Sequence, residues 1–462
     1  MSRLNISFGP GPDDVTINGR SNMVQTAADL DRCVAFVNEA RAGHFKAIPG
    51  LVAVGRSKNP SRIRLGVKQG DKVEWRELID LHAAFGATGL GNGNPELCKP
   101  VARQILAGTT FMPATIAHPL ELSVLEAIRQ IAEMPDGVVF FGSDGHFATN
   151  IAVLASFNYH CRQRGLELDG ADPRWAEHCI VVAENCYHGS GGFGRAFLTN
   201  PKVRVNFGPL VANILKVPYG DIYALEALFA KSPRPEIAGV MLERVQGAGG
   251  CIAPPDDYIA RAGELCRTYG ATFIVDDVKG GLGRLGDFLA CPSSGVPADI
   301  VCGGKLAGAG IMPFSFTIGK PTVMEGFTQG TFGLTCVAEP AQCMSLLAVL
   351  KLLDDELGGK PSLLSQVREK AKLLEVHFQE LKERWPSHIV KFDGKGLMRA
   401  LETTLPGKDL AEMLRELGVY TTAIERHPRR VYVAPPLTIT DSEIHIVATT
   451  FAAAIADLVA RQ

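Results

Sequence analysis

Two stretches decide the fold: Thr272-Phe273-Ile274-Val275-Asp276-Asp277-Val278-Lys279 and Ile300-Val301-Cys302-Gly303-Gly304-Lys305. Each opens as a short, almost wholly apolar run and closes on charged residues. Apolar runs this short are strands covered on both faces rather than buried helices. Acidic residues end the first run. A lysine set among glycines ends the second, with Gly308 and Gly310 close behind. Such a lysine has little water around it, loses its proton readily and attacks carbonyls.

The same pattern continues outward in both directions. Val138–Phe141, Cys179–Ala183, Ile237–Leu242 and Phe314–Ile318 are further apolar runs. The periodicity predicts helices at Leu122–Ala132, Phe147–Cys161, Asp257–Tyr269 and Ala338–Glu356, and a final one at Asp441–Ala460. Alternation of this kind gives an α/β fold with a mainly parallel sheet, seven-stranded in type. Ligands of such sheets bind beyond the carboxyl ends of the strands. The expected organisation is an N-terminal segment (1–80) contributing to a small domain, a large domain (81–355), and a C-terminal small α+β domain (356–462). Ile63–Leu81 reads as short strands turning at Gly70-Asp71, and Ala27–Arg41 as a helix capped by Thr26.

Each strand end carries a polar or glycine-rich cluster. After Phe141 comes Gly142-Ser143-Asp144-Gly145-His146, opening a helix. Its free N–H groups and the Ser143 hydroxyl suit a phosphate; a plain helix cap by Ser143 or Asp144 is the alternative. After Ala183 comes Glu184-Asn185-Cys186-Tyr187-His188-Gly189, whose Tyr187 can stack on a planar ring or pack in the core. Glu243-Arg244 ends another strand, where the buried acid needs a partner, and Arg244 is one candidate. An acid such as Asp276 can pair with a protonated pyridine nitrogen, and a lysine such as Lys305 can form an imine with the aldehyde on the same ring. Together they point to pyridoxal 5'-phosphate. Lys279 is the rival imine lysine, but it lies on the ring-nitrogen side, so a later strand is the better source. Gly281-Leu282-Gly283-Arg284-Leu285-Gly286 matches a dinucleotide fingerprint in letters only. Five residues separate it from Val275, and it is soon followed by Pro292 rather than by a helix.

In order, these clusters resemble the class III (ω-) aminotransferase family, pyridoxal phosphate enzymes of fold type I, over residues 60–455. Phe273–Arg284 (FIVDDVKGGLGR) is similar to I-x-D-E-V-Q-x-G-x-G-R, and Asp299–Lys305 to the P-D-I-x-x-x-x-K lysine segment. Tyr187-His188-Gly189, Glu243–Gly250 (ERVQGAGG), Pro435–Thr440 and Asp80–Pro95 also match. The resemblance implies that Lys305 forms the imine and moves the α-proton, and that Asp276 holds the ring nitrogen. It places Tyr187 and Val278 on the two ring faces. Ser143, Asp144, Gly145 and His146 lie in its phosphate loop, with His188 and Glu243 among the cofactor-binding residues. It sets Lys279, where Gln is usual, against the ring oxygen. Gly330-Thr331 would reach the phosphate of a neighbouring subunit, which implies a homodimer with shared sites.

The departures fall in the phosphate loop and the pocket. The family's S-G-[TSA]-E-A is Ser143-Asp144-Gly145-His146-Phe147 here, so two alignments offset by one are open. Arg244 replaces a proline, and Leu334-Thr335 stands for Asn-Pro. Lys279 and Gly330-Thr331 resemble glutamate-semialdehyde-aminomutase-like and lactam-racemase-like members. Three functions follow: an aminotransferase, a racemase, epimerase or aminomutase on the same cofactor, and a catalytically silent homologue. Arg430 either pairs with a substrate carboxylate or forms a structural salt bridge.

Composition narrows the setting. With 462 residues the chain exceeds one compact core. A formal charge of −2, from 47 basic and 49 acidic residues, gives no reason to expect nucleic acid or an acidic membrane surface as the main partner. No run approaches the roughly 18 uninterrupted apolar residues of a membrane helix. The 11 cysteines are scattered without Cys-x-x-Cys spacing, so reduced thiols in a cytoplasmic protein are expected and a metal cluster is not.

Overall fold

The computed structural model describes residues 6–8, 15–17, 20–21, 23–41, 47–48, 51–53, 57, 59–108, 111, 113, 115–166, 172–199, 210, 213–231, 236–292, 295–327, 331, 334–335, 337–354 and 361–461. Its central element is a seven-stranded sheet. In chain order its strands are β1 (Val138–Gly142), β2 (His178–Ala183), β3 (Ile214–Val217), β4 (Glu236–Glu243), β5 (Thr272–Asp276), β6 (Ile300–Gly303) and β7 (Ser315–Gly319). Across the sheet the order is β1-β7-β6-β5-β4-β2-β3. β7 runs antiparallel to both of its neighbours, and the other pairs of neighbouring strands in this sheet are parallel. The edge strand β3 lies outside the runs singled out above: Ile214-Leu215-Lys216-Val217 is short and interrupted by a lysine.

Side-chain alternation explains why these strands read as unbroken apolar runs. Ile274, Ile300 and Cys302 face one layer, where helix Gly145–Gln163 packs Ala148, Ile151, Ala152 and Ala155 against them. Phe273, Val275 and Val301 face the other layer, with helices Pro119–Ile131, Tyr258–Tyr269 and Pro340–Asp354. Period-two alternation thus fills two apolar layers, and neither face reaches water. Asp257, expected to begin a helix, is its N-cap, and Gly270 ends that helix in the left-handed region (φ 71°).

Two smaller sheets flank this layer. Ile389–Lys395, Met398–Thr403, His427–Val433 and Ala423–Ile424 form an antiparallel sheet. The N-terminal hairpin Arg62–Gln69/Lys72–Asp80 turns at Gly70 (φ 56°) and joins Leu51–Ala53 on one side. On its other side the hairpin takes Val419–Tyr420 as a parallel partner, Val419 opposite Ile79 and Tyr420 opposite Asp80. Glu443, near the start of the last helix, accepts hydrogen bonds from Asn59, Ser61 and Arg62. The last helix, Asp441–Ala460, is capped by a Thr440/Glu443 capping box. By length and composition it is apolar enough to cross a membrane, which the count of uninterrupted apolar residues missed. Ile444, Val447, Phe451 and Ile455 bury one face of it in the core.

The Gly281–Gly286 segment has a structural use. Arg284 is buried and donates to the carbonyls of Leu397 (3.1 Å) and Pro435. A Cβ at Gly396 would stand 2.6 Å from the Arg284 carbonyl oxygen. The segment is a seam between the large layer and the C-terminal strands.

Candidate active site

The register of the sheet brings the acids together. Glu243 ends β4 directly opposite Asp276 at the end of β5, and Asp276 stands opposite Cys302 of β6. Lys305 follows Cys302 by three residues. It sits at φ 42° after Gly304, a conformation L-residues rarely adopt. Backbone strain of this kind persists only where surrounding structure enforces it, and it collects at functional positions.

Asp276 is buried at 6% relative exposure, and both of its oxygens are held. Its Oδ2 lies 2.7 Å from His188 Nδ1, and its Oδ1 accepts the Val278 N–H at 3.0 Å. Burial opposes charge on His188, yet neighbouring Cys186 and the Asp276 carboxylate hold its pKa well above the usual value. The pair is therefore a fixed charge couple at the strand end. His188 in turn leans on the adjoining helix: its carbonyl accepts the Thr149 hydroxyl at 2.8 Å. His188 thus acts through Asp276 and through the backbone, and it does not face the pocket as a second acid or base.

Burial, and next the Lys279 ammonium, bring the Lys305 amine down to about 8, against the opposing pull of Asp276 and Glu243. The lowered pKa raises the share of uncharged, nucleophilic amine that carbonyl condensation requires. Lys279 lies half-buried beside it, and desolvation lowers its pKa also. Its Nζ lies 4.7 Å from the centre of the Tyr432 ring.

The loop after β1 leads straight into a helix. Asp144 is the N-cap of helix Gly145–Gln163, and its Oδ1 accepts the Phe147 N–H at 3.0 Å. The same oxygen lies 3.6 Å from His146 Nδ1. Asp144 is thus committed to the cap, not to a phosphate, and an anion there would meet the N–H groups of Gly145 and His146 and the Ser143 hydroxyl. A Cβ at Gly145 would stand 2.5 Å from Val278 Cγ1, so the helix start and the ring-facing valine touch only because position 145 is glycine.

Glu243 and Tyr187 form one unit. The Glu243 carboxylate accepts the N–H of Tyr187 at 3.0 Å and that of Gly247 at 2.9 Å. Burial raises the Glu243 pKa, with the His188 charge opposing. Glu243 therefore anchors two loops, while Tyr187 remains 39% exposed.

Two arginines differ from expectation. Arg244 does not pair with Glu243. Its guanidinium grips Asp277 through Nε (2.8 Å) and Nη2 (2.7 Å), and Asp287 through Nη1 (2.8 Å). Alternation sends neighbours on a strand to opposite sides, so Arg244 and Asp277 meet behind the pair Glu243 and Asp276. Arg430 is the structural salt bridge: Nε and Nη2 donate to Glu402 Oε2 at 2.8 and 2.6 Å, and Nη1 to the Gly250 carbonyl at 3.0 Å. That fork is filled, which removes Arg430 from the substrate-binding candidates. Gly330 lies outside the described residues; Thr331 is exposed.

One part of the site had no single-residue signal. Ala83, Ala84, Phe85 and Gly86 follow one another at φ 45°, 47°, 57° and 98°. This left-handed turn ends the run held by Asp80, which accepts the N–H groups of His82 (2.8 Å) and Ala83 (2.9 Å). A Cβ at Gly86 would stand 3.6 Å from Lys305 Cδ and 3.7 Å from Lys279 Cγ, so the turn closes over both lysines. His82 lies in the same wall, 5.5 Å from the Tyr432 ring, and burial followed by the Lys279 charge lowers its pKa to about 4. The Asp80–Pro95 segment carries the signal for this wall only as a pattern.

A buried acid with both oxygens fixed, a deprotonatable lysine at the adjacent strand end, a flat aromatic and a helix N-terminus are the donor set of a pyridine aldehyde phosphate. Comparison with known proteins agrees. A model of the aminotransferase class-III family matches residues 66–455. An ornithine aminotransferase of Oceanobacillus iheyensis is 31% identical over 371 residues, covering 80% of this chain and 87% of the relative. One from Bacillus cereus is 27% identical over 372 residues, covering 80% and 88%. Among solved structures, the ornithine aminotransferase of Toxoplasma gondii superposes with a TM-score of 0.81 at 23% identity, covering 95% of this chain and 97% of that one. The acetylornithine aminotransferase of Elizabethkingia anophelis gives 0.77 at 22% identity, over 92% and 99%. A second Toxoplasma structure has pyridoxal phosphate at partial occupancy in its active site. The fold is therefore that of the pyridoxal phosphate aminotransferases, and transamination is the reaction these relatives support, ahead of racemisation or amino-group migration. This chain belongs to the class-III aminotransferase family and uses pyridoxal phosphate.

Proposed function

We propose that the protein moves an amino group between an amine-bearing donor and a carbonyl acceptor, with Lys305 as covalent anchor and proton carrier and Asp276 as the partner of the ring nitrogen. The observation that carries this reading is the pair of groups on adjacent strand ends: Asp276 locked by His188 and Val278, and Lys305 held in a strained conformation with its pKa near 8. When bound, the cofactor supplies an electron sink for the pair released as a C–H bond breaks. The chain does the rest. Asp276, fixed in place by His188 at 2.7 Å, would hold a proton at the ring nitrogen. Lys305 Nζ takes the proton from the donor carbon and returns it elsewhere, as an amine with a pKa near neutrality can. Tyr187 and Val278 would hold the ring between them, and the N–H groups of Gly145 and His146 with the Ser143 hydroxyl would hold the phosphate.

The dimer belongs to this proposal. Ile105 (43%), Leu106 (85%), Phe111 (50%), Ile116 (51%) and Leu122 (58%) are exposed within one short part of the chain. Apolar exposure so concentrated suits an interface with a second copy, in which Gly330-Thr331 would serve the partner's site. The ten described cysteines are all free thiols, which fits a reducing, cytoplasmic setting.

The deciding experiment is single-turnover spectroscopy of the holoenzyme with a panel of donors, L-ornithine first because the relatives above act under that name. Bleaching of the cofactor band with one equivalent of keto or aldehyde product is expected. Loss of donor chirality with no carbonyl product would overturn transamination.

A further inference from the structure

We propose that Lys279 binds the carboxylate of the substrate and so sets the protein's preference for acid-bearing amines. The inference rests on the aminotransferase reading above and assigns a role within that site.

The argument begins with the cations around the pocket. Lys305 is committed to the cofactor. Arg430 is filled by Glu402 and the Gly250 carbonyl. Arg284 spends its Nη1 on the carbonyls of Leu397 and Pro435, and Arg244 is bound by Asp277 and Asp287. On the rim, Arg426 Nη1 donates to the carbonyls of Asn185 (2.9 Å) and Cys186 (3.3 Å). Apart from the anchor Lys305, Lys279 is the one cation of this group with no ion-pair or hydrogen-bond partner among the described residues; its contact is the Tyr432 ring face at 4.7 Å.

That position is built. A Cβ at Gly247 would stand 2.5 Å from Lys279 Cδ and 3.1 Å from its Nζ, so any larger residue there would expel the lysine. On the other side Gly86 leaves the space between the Lys279 and Lys305 stems clear. Met398 Cε lies 3.0 Å from the same point over Gly247, giving the methylene chain an apolar bed. The head group is left over an aromatic face, where cation–π attraction only partly offsets lost hydration. A half-buried, partly desolvated ammonium with no ion-pair partner is a costly arrangement. A substrate carboxylate provides the missing anion, and it also relieves the repulsion between Lys279 and Lys305. Tyr432 sets the ammonium's height above the ring, and His82, neutral beside it, adds no competing charge.

L-Ornithine and 1,4-diaminobutane differ only in the carboxylate, so their kcat/KM ratio reads the proposed contact. Lys279→Gln should lower that ratio about 30-fold, mainly through KM, the range of one charge-assisted hydrogen bond, and Lys279→Arg should restore part of it. A second arm needs no turnover: calorimetric titration of the holoenzyme with succinate should show binding that weakens about tenfold or more in Lys279→Gln. An unchanged ratio together with unchanged succinate affinity would overturn the proposal and leave Lys279 as a contact to the cofactor alone. A wild-type protein that forms no carbonyl product from any donor overturns the aminotransferase reading instead, and the succinate arm still decides the role of Lys279.

Discussion

Lys305 and Asp276 owe their chemistry to neighbours that neither apolar run contains. For Lys305 those neighbours are burial and a second ammonium, and the pH behaviour follows. Below about 8 its Nζ is protonated and unreactive; above that it is the free base. The rate at which the cofactor-free protein forms a borohydride-trappable adduct should rise with pH and level off near 8, where an unperturbed lysine keeps rising toward 10.5. In Lys279→Gln one like charge is gone, so the break should move to higher pH. In Lys305→Ala no adduct forms at this position. Asp276→Asn keeps the shape but not the charge, and kcat should fall by about two to three orders of magnitude. Both residues were legible because the runs before them are unambiguous and the residues after them are incongruous. Lys279 was legible as a residue but not in its role, since its surroundings come from Gly86, Gly247 and Tyr432, far apart in the chain.

Among elements, strand ends and the turns beyond them decide the outcome. Apolar runs announced six of the seven sheet strands, because strands covered on both faces must be apolar throughout. Strand β3 escaped because it is only 4 residues long and Lys216 interrupts its apolar run. The same geometry explains the error at Arg244. Sequence adjacency suggested Glu243, but alternation turned the arginine toward Asp277 on the next strand. Arg244→Leu leaves Asp277 buried without its counter-charge, and chemical denaturation should show a loss of about 3–5 kcal/mol. Pairing it with Asp277→Leu should recover much of that loss. At the helix start, Gly145→Ala drives a methyl into Val278 and should weaken cofactor retention about tenfold, measured by fluorescence titration. The left-handed turn at Ala83–Gly86 was not legible, because alanine and phenylalanine do not advertise positive φ.

For the whole molecule, the proposed homodimer predicts a particle of twice the 49.5 kDa chain mass in sedimentation. If Thr331 serves the partner's site, mixing Lys305→Ala with Thr331→Ala subunits should restore activity that neither has alone, since one of the two mixed sites is then intact. Sequence made the doubly covered sheet plain but gave no sign that Val419–Tyr420 lies beside Lys72–Asp80. Strand pairing between such distant segments leaves no periodic trace. Its consequence concerns synthesis. Asp80 and the turn that roofs the two lysines are braced by a strand made more than three hundred residues later. While the ribosome is still producing the C-terminal region, that roof has no support. Vitamin B6 capture is therefore an event of the released polypeptide, and chains stalled before Val419 should emerge without it.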